Sequence, residues 1–93
     1  PVLPIVAFRD EDEAIALAND TKYGLGAYIF TEDNDRFMRV ARRVQSGMVS
    51  QNQLDYVSVN NPFTGHKMSG GGREHGKFGF EDVTQIKVIS REK

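Results

Sequence analysis

The stretch that most constrains this chain runs from Asn52 to Gly79, where hydrophobic periodicity disappears and six of the nine glycines are concentrated. Glycine adopts backbone conformations closed to other residues, so this density reads as a backbone loop with many unusual turns. A loop of nearly thirty residues without secondary structure of its own is rare inside a compact domain. What precedes it is also too small to shelter it. Three strand candidates and two helix candidates make a small core, and a parallel sheet normally carries helices on both faces and further strands at its edges. Together these features predict a piece built to lie against something larger.

The flanking segments are periodic. Residues 2–8 (Val-Leu-Pro-Ile-Val-Ala-Phe) are continuously apolar and β-branched, the signature of a strand covered on both faces, although Pro4 suits an edge, a strand start or a bulge. Asp10 followed by Glu13 resembles a capping box, and Ala14, Ile15, Leu17 and Ala18 supply an apolar face on good helix formers. Gly24 is the expected left-handed stop. A second strand is expected in residues 25–30. Thr31 to Asp33 then offers an N-cap, and Phe37, Val40, Ala41 and Val44 fall on one helical stripe, with Arg36, Arg39, Arg42 and Arg43 mostly off it. Gly47 ends that helix, and residues 48–52 read as a third strand.

The pattern is β-α-β-α-β with short connections, which predicts parallel strands. Residues 83–90 alternate moderately and close the chain as a further strand. The fold class expected is α/β: a partial parallel sheet, a long glycine-rich loop and a C-terminal strand. Residues 1–82 form the main unit and residues 83–93 a terminal strand and tail.

Charge and composition narrow the function. Twelve Lys and Arg against 13 Asp and Glu give a net charge of −1; no basic footprint asks for nucleic acid or an anionic membrane. The longest apolar run is seven residues, far short of the roughly 20 that span a bilayer. No cysteine is present, which removes disulfides, thiolate zinc sites and any Cys nucleophile from these 93 residues. A cytoplasmic setting is the expectation. Pro1, with no initiator Met and no basic leader, is expected to begin in the middle of something.

Several motifs look chemical at first and weaken on inspection. Gly71 to Lys77 fits the spacing G-x-x-x-x-G-K, but Phe78 stands where Ser or Thr is needed, no apolar strand precedes it, and Gly79 is expected to interrupt a following helix. Lys67-Met-Ser-Gly70 faintly resembles the mobile lysine loop of class I aminoacyl-tRNA synthetases, without its second lysine. His66 and His75 are nine residues apart, outside the usual zinc spacing, and no third ligand recurs nearby. Residues 32–35 are acidic but lack the glycine and the distal glutamate of an EF-hand loop. A helix N-terminus wants acids there in any case.

The informative string is Pro62-Phe-Thr-Gly-His-Lys-Met-Ser-Gly-Gly-Gly-Arg-Glu-His-Gly76. It resembles the C-terminal signature of the NAD(P)-dependent aldehyde dehydrogenase superfamily, Pro-Phe-Gly-Gly-x-Lys-x-Ser-Gly-x-Gly-Arg-Glu-x-Gly. The rest resembles the same family in order: Pro1-Val2, the stretch Asp12 to Asn19 followed by Tyr23-Gly-Leu25, and Ala41-Arg-Arg43 leading to Gly47-Met48. The likeness covers the whole chain. It implies the last part of a catalytic domain followed by an oligomerisation strand. The parent would oxidise an aldehyde to an acid with NAD or NADP through a Cys thioester, its nucleophile and most of its cofactor site lying upstream. Such a segment alone is expected to be inactive. A stand-alone oligomerisation or interaction module without catalysis is the competing reading.

The resemblance also implies roles for particular residues. Glu74 matches the glutamate of a proton-relay pair; loop packing is the plain alternative. Arg73 matches a residue that braces a dimer interface through a carboxylate, and Gln85 stands where some relatives place that acid. Asp55, Val57 and Phe63 match the mouth and wall of a substrate tunnel, Val57 being aliphatic where many relatives are aromatic. Asn52 matches a structural asparagine at the end of the last strand. The main-chain carbonyls of Lys67 and Gly70 match a potassium site in the betaine-aldehyde branch. Thr64 departs from the usual second glycine of the signature, and Ser50-Gln51 from the usual apolar or aromatic pair. The terminal strand implies a homo-oligomer.

Overall fold

The computed structural model describes residues 1–54 and 57–93. In chain order the elements are α1 (Glu11–Asn19), β1 (Tyr23–Gly24), β2 (Gly26–Ile29), α2 (Asn34–Ala41), β3 (Met48–Gln51), β4 (Phe63–Thr64), β5 (His66–Lys67), β6 (Arg73–Glu74) and α3 (Gly76–Asp82).

Both long helices begin where the side chains dictate. The Asp10 carboxylate accepts the Glu13 N–H at 2.8 Å, and Asp33 accepts the Arg36 N–H at 2.9 Å, so each satisfies a donor that the helix itself cannot. Glu13 reaches back one residue further than a capping box requires, accepting from the Arg9 N–H at 2.6 Å. The first helix stops at Asn19 with Asp20 as its cap, before Gly24, which lies in β1. That corrects the expected glycine stop. The cap bond runs from the Asp20 N–H to the Leu17 carbonyl, so no left-handed glycine is needed.

The two central strands pair in parallel, from Gly26 with Met48 to Ile29 with Gln51, as a crossover through α2 requires. Asn52, at φ +52, closes this unit. Its side chain donates to the Thr31 carbonyl at 2.9 Å and accepts the Thr31 N–H at 2.8 Å. The unusual Gln51 is absorbed in the same place, donating to the Thr31 carbonyl and to Asn34. Ser50 is buried, with its hydroxyl donating to the Gln53 carbonyl at 2.7 Å.

Outside this unit the expected sheet is not built. Residues 2–8 and 83–90 lie outside any strand, correcting the first and last strands of the expected order. A strand exists only as half of a ladder, and no segment among the described residues pairs with either. Val2, Leu3, Ile5, Ile86, Val88 and Ile89 are between 82% and 97% exposed. The buried apolar core among the described residues is Ile15 and Met48. The radius of gyration is 17.7 Å, against about 12 Å for a compact chain of this length. The chain is elongated, 67 × 28 × 24 Å.

A second correction concerns the loop. It contains the antiparallel pair β4 with β6, supplies β5 to pair antiparallel with β1, and ends in the start of α3. Gly79 does not interrupt that helix. It allows it to sit down, because a Cβ there would stand 2.6 Å from the main-chain carbon of Glu74.

Candidate active-site segment

The Pro62–Gly76 string folds as two tight structures. In the first, β4 runs antiparallel to β6, with Phe63 opposite Glu74 and Thr64 opposite Arg73. The chain then turns at His75 (φ +64), and Gly76 (φ +58) opens α3, with its N–H on the Val59 carbonyl at 3.0 Å. A Cβ on Gly76 would meet the Asn60 carbonyl oxygen at 2.6 Å, so both the backbone angle and the space require glycine.

Arg73 is the anchor of this part. Its N–H donates to Asp82 at 2.7 Å and its guanidinium donates to the same carboxylate, with one contact at 3.1 Å. The guanidinium also lies 5.3 Å from the centre of the Phe78 ring, within cation–π range. The Arg73 hydrogen bonds hold the Asp82 carboxyl below its ordinary range, and Asp82 raises Arg73 in return. Within the chain Arg73 is held by Asp82, with the Glu81 carboxylate 4.0 Å away; Gln85 lies in the exposed terminal stretch. Sequence reading missed Asp82. The helix that carries it crosses Gly79, which reads as a helix breaker in sequence.

Glu74 is exposed, its carboxylate 4.0 Å from the His75 imidazole. Phe63, Gly70, Arg73, Glu74 and Asp82 line one hollow together with Leu25. Val57 is exposed and lines a different hollow, with Phe37, Ser50 and Pro62. Asp55 lies outside the described residues.

The second structure is the turn at residues 66–70, laid against the end of α1. Lys67 (φ +53) extends its ammonium to the carbonyls of Asn19 and Thr21, 2.9 Å from each. Ser69 accepts the Gly24 N–H at 2.9 Å. The Lys67 carbonyl accepts the Gly70 N–H at 3.3 Å. Asn19 is a junction that sequence reading did not find. It donates to the Arg43 carbonyl and accepts from the Gln45 N–H, while its own carbonyl receives Lys67. Among the described residues no three His, Cys, Asp or Glu side chains converge as metal ligands, and no helix is long and apolar enough to cross a membrane.

Comparison with known proteins agrees with the motif. The family model described as "Aldehyde dehydrogenase family" matches residues 1–89. Aldehyde dehydrogenase 1A1 of Bos taurus is 46% identical over 90 residues, covering 97% of this chain and 18% of that protein. An indole-3-acetaldehyde dehydrogenase in its apo form superposes with a TM-score of 0.87 at 38% identity, covering 92% of this chain and 20% of that one. The indole-3-acetaldehyde dehydrogenase of P. syringae, solved with NAD+ and IAA, gives a TM-score of 0.81 at 39% identity, covering 86% and 16%. The chain thus spans about one fifth of the length of the relatives it matches.

Proposed function

Because this chain belongs to the aldehyde dehydrogenase family, we propose that it is the C-terminal part of an enzyme that oxidises an aldehyde to a carboxylic acid. The Cys nucleophile that forms the thioester lies outside these 93 residues. NAD or NADP, when bound, supplies the hydride acceptor, and none of the residues described above is assigned to it. What this chain contributes is the release step. Water must be deprotonated to attack a thioester, and the proton must leave through titratable groups that reach solvent. Glu74 is exposed to solvent and stands across the β4–β6 pair from Phe63. That juxtaposition of a carboxylate with a large apolar wall carries the reading.

In the same reading Phe63, Val57 and Asp55 line the path of the aldehyde, Asp55 by its place in the sequence alone. Arg73 and Gln85 belong to a subunit interface, and Asn52 holds the end of β3 against Thr31. A potassium ion would be held by the carbonyls of Lys67 and Gly70. The first of these already accepts the Gly70 N–H. Residues 83–93 would pair with a second copy, since the exposed apolar side chains there need a partner.

The test is Glu74→Gln in the full-length enzyme. Thioester hydrolysis, read as the steady-state rate when deacylation limits turnover, is expected to slow by about a hundredfold, the lower end for a lost acid–base group. The rapid burst of reduced cofactor should stay within about twofold. An unchanged steady-state rate would refute the relay.

A further inference from the structure

We propose that Asp82 is a positioning residue for Glu74: by clasping Arg73, the neighbour of Glu74 in β6, it sets where the Glu74 carboxylate stands. This rests on the relay role proposed above.

The argument begins with what holds Glu74. Its side chain is 77% exposed, and among the described residues its ion-pair contact is the imidazole of His75, 4.0 Å away. With no close clamp on the side chain, the backbone sets the region that its carboxylate can reach. That backbone is poorly held by its own strand, because β6 is two residues long and among the described residues pairs only with the two residues of β4. A ladder of this length is marginal by itself.

The missing constraint comes from α3. Asp82, the last residue of that helix, takes the Arg73 main-chain N–H on one carboxylate oxygen and the guanidinium on the other. The first contact fixes main chain, not merely side chain, one residue from Glu74. The second brings two guanidinium donors onto the other oxygen, a charge-assisted contact stronger than a neutral hydrogen bond. Between the two ends of the clasp, Gly79 lies against the Glu74 main chain with no room for a methyl group. Phe78 lies within cation–π range of the guanidinium on the same helix. The helix is thus pinned to β6 at both residues of the strand. Asp82 and Glu81 crowd two acids into the C-terminal turn, where the dipole opposes them. Arg73 is the cation that makes Asp82 tolerable there.

The experiment uses the full-length enzyme with Asp82→Ala, Asp82→Asn, Glu74→Gln and the Asp82→Ala/Glu74→Gln double variant. Burst rate, deacylation-limited steady-state rate and the pH profile of the latter are recorded for each. Asp82→Ala is expected to slow hydrolysis about tenfold, within the range that small misplacements of a reacting group cause, and to change its pH profile while leaving the burst within about twofold. Asp82→Asn, which keeps an acceptor for the Arg73 N–H, is expected to lose about threefold. The double variant should be no slower than Glu74→Gln alone, since two residues acting through one group are not additive. If Asp82→Ala fails to fold, Asp82→Asn is judged by the same criteria, in its own double variant. Losses that multiply, or a burst slowed as much as hydrolysis, overturn the positioning role and leave the relay standing. Hydrolysis unchanged in Glu74→Gln overturns the relay, and the positioning role with it.

Discussion

Residues 10–52 and the two ends of the chain are built from similar material and reach opposite outcomes. The central unit has one β-branched residue in each of β2 and β3, Ile29 and Val49, and still finds each strand its partner in register. The ends are at least as β-prone, with Val2, Ile5 and Val6 at one and Val83, Ile86, Val88 and Ile89 at the other. Yet no strand forms in either, and these side chains are 63% to 97% exposed. Propensity for a pleated, half-buried surface is met only where a second strand supplies the surface. Between β2 and β3 that strand comes from this chain. For the ends it has to come from elsewhere.

The largest expected effect follows directly. At micromolar concentration the 93-residue chain should sediment well above the 10.4 kDa of a monomer, because its apolar ends find each other. Replacing Ile86 and Ile89 together with lysine should abolish most of that association, as charged side chains blunt an exposed edge. The same replacements should leave the circular dichroism of α1 and α2 unchanged. A wild-type chain that sediments as a clean monomer would break the comparison, since the ends would then be stable in water without a partner.

A second test contrasts Gly71 of the signature with Gly79 in α3. A Cβ on Gly79 would stand 2.6 Å from the Glu74 main chain, whereas one on Gly71 meets nothing within 4 Å. In the full-length enzyme Gly79→Ala should destabilise by about 1–3 kcal/mol, the usual cost of forcing a group into a filled space. Gly71→Ala should fall within about 0.5 kcal/mol, as surface changes do. Denaturant midpoints of the two variants decide it. Equal midpoints would show that α3 does not press on β6.

How much of this was legible in the sequence depended on the range of the interaction. Asp10 and Asp33 could be read as caps because a cap is satisfied within three residues. The stripe Phe37, Val40, Ala41 and Val44 was legible from helical spacing, and all four are half-buried with the arginines outside. The motif string named Arg73 and Glu74 by resemblance. The clasp by Asp82 was not legible, since it depends on a helix crossing Gly79, and glycine reads as a helix breaker until its neighbour in space is known. The tie from Lys67 to Asn19 spans 48 positions, and spacing alone cannot see it. The missing end strands were misread for a related reason: a strand is a property of two segments, and sequence displays one.

The smallest effect sharpens the comparison through charge. In the central unit α2 is joined to α1 by exposed ions: Glu11 accepts two bonds from Arg39, near 3 Å each, and Asp12 accepts from Arg43 at 2.7 Å. The Arg39 hydrogen bond lowers the Glu11 carboxyl below its ordinary value of 4.5, with desolvation working against it. A carboxyl lowered by folding stabilises the fold above its unfolded value and loses that contribution as pH falls through the folded one. Asp82 behaves in the same direction below 3.8. Acid should therefore loosen the α1–α2 contact in the 93-residue chain only below about pH 4.5, and Glu11→Gln should remove part of that dependence while changing stability at pH 7 only slightly, as exposed pairs do. Sodium chloride at 1 M screens charges beyond about 3 Å, so it should act like a weak version of the same substitution. Association through the apolar ends rests on burial rather than on ion pairs, and sulfate should strengthen it. Salt then separates the two regions: helix contact weakened and association held or increased. A parallel weakening of both, followed by circular dichroism and sedimentation on one sample, would mean that the ends are held by the same surface ions as the helices.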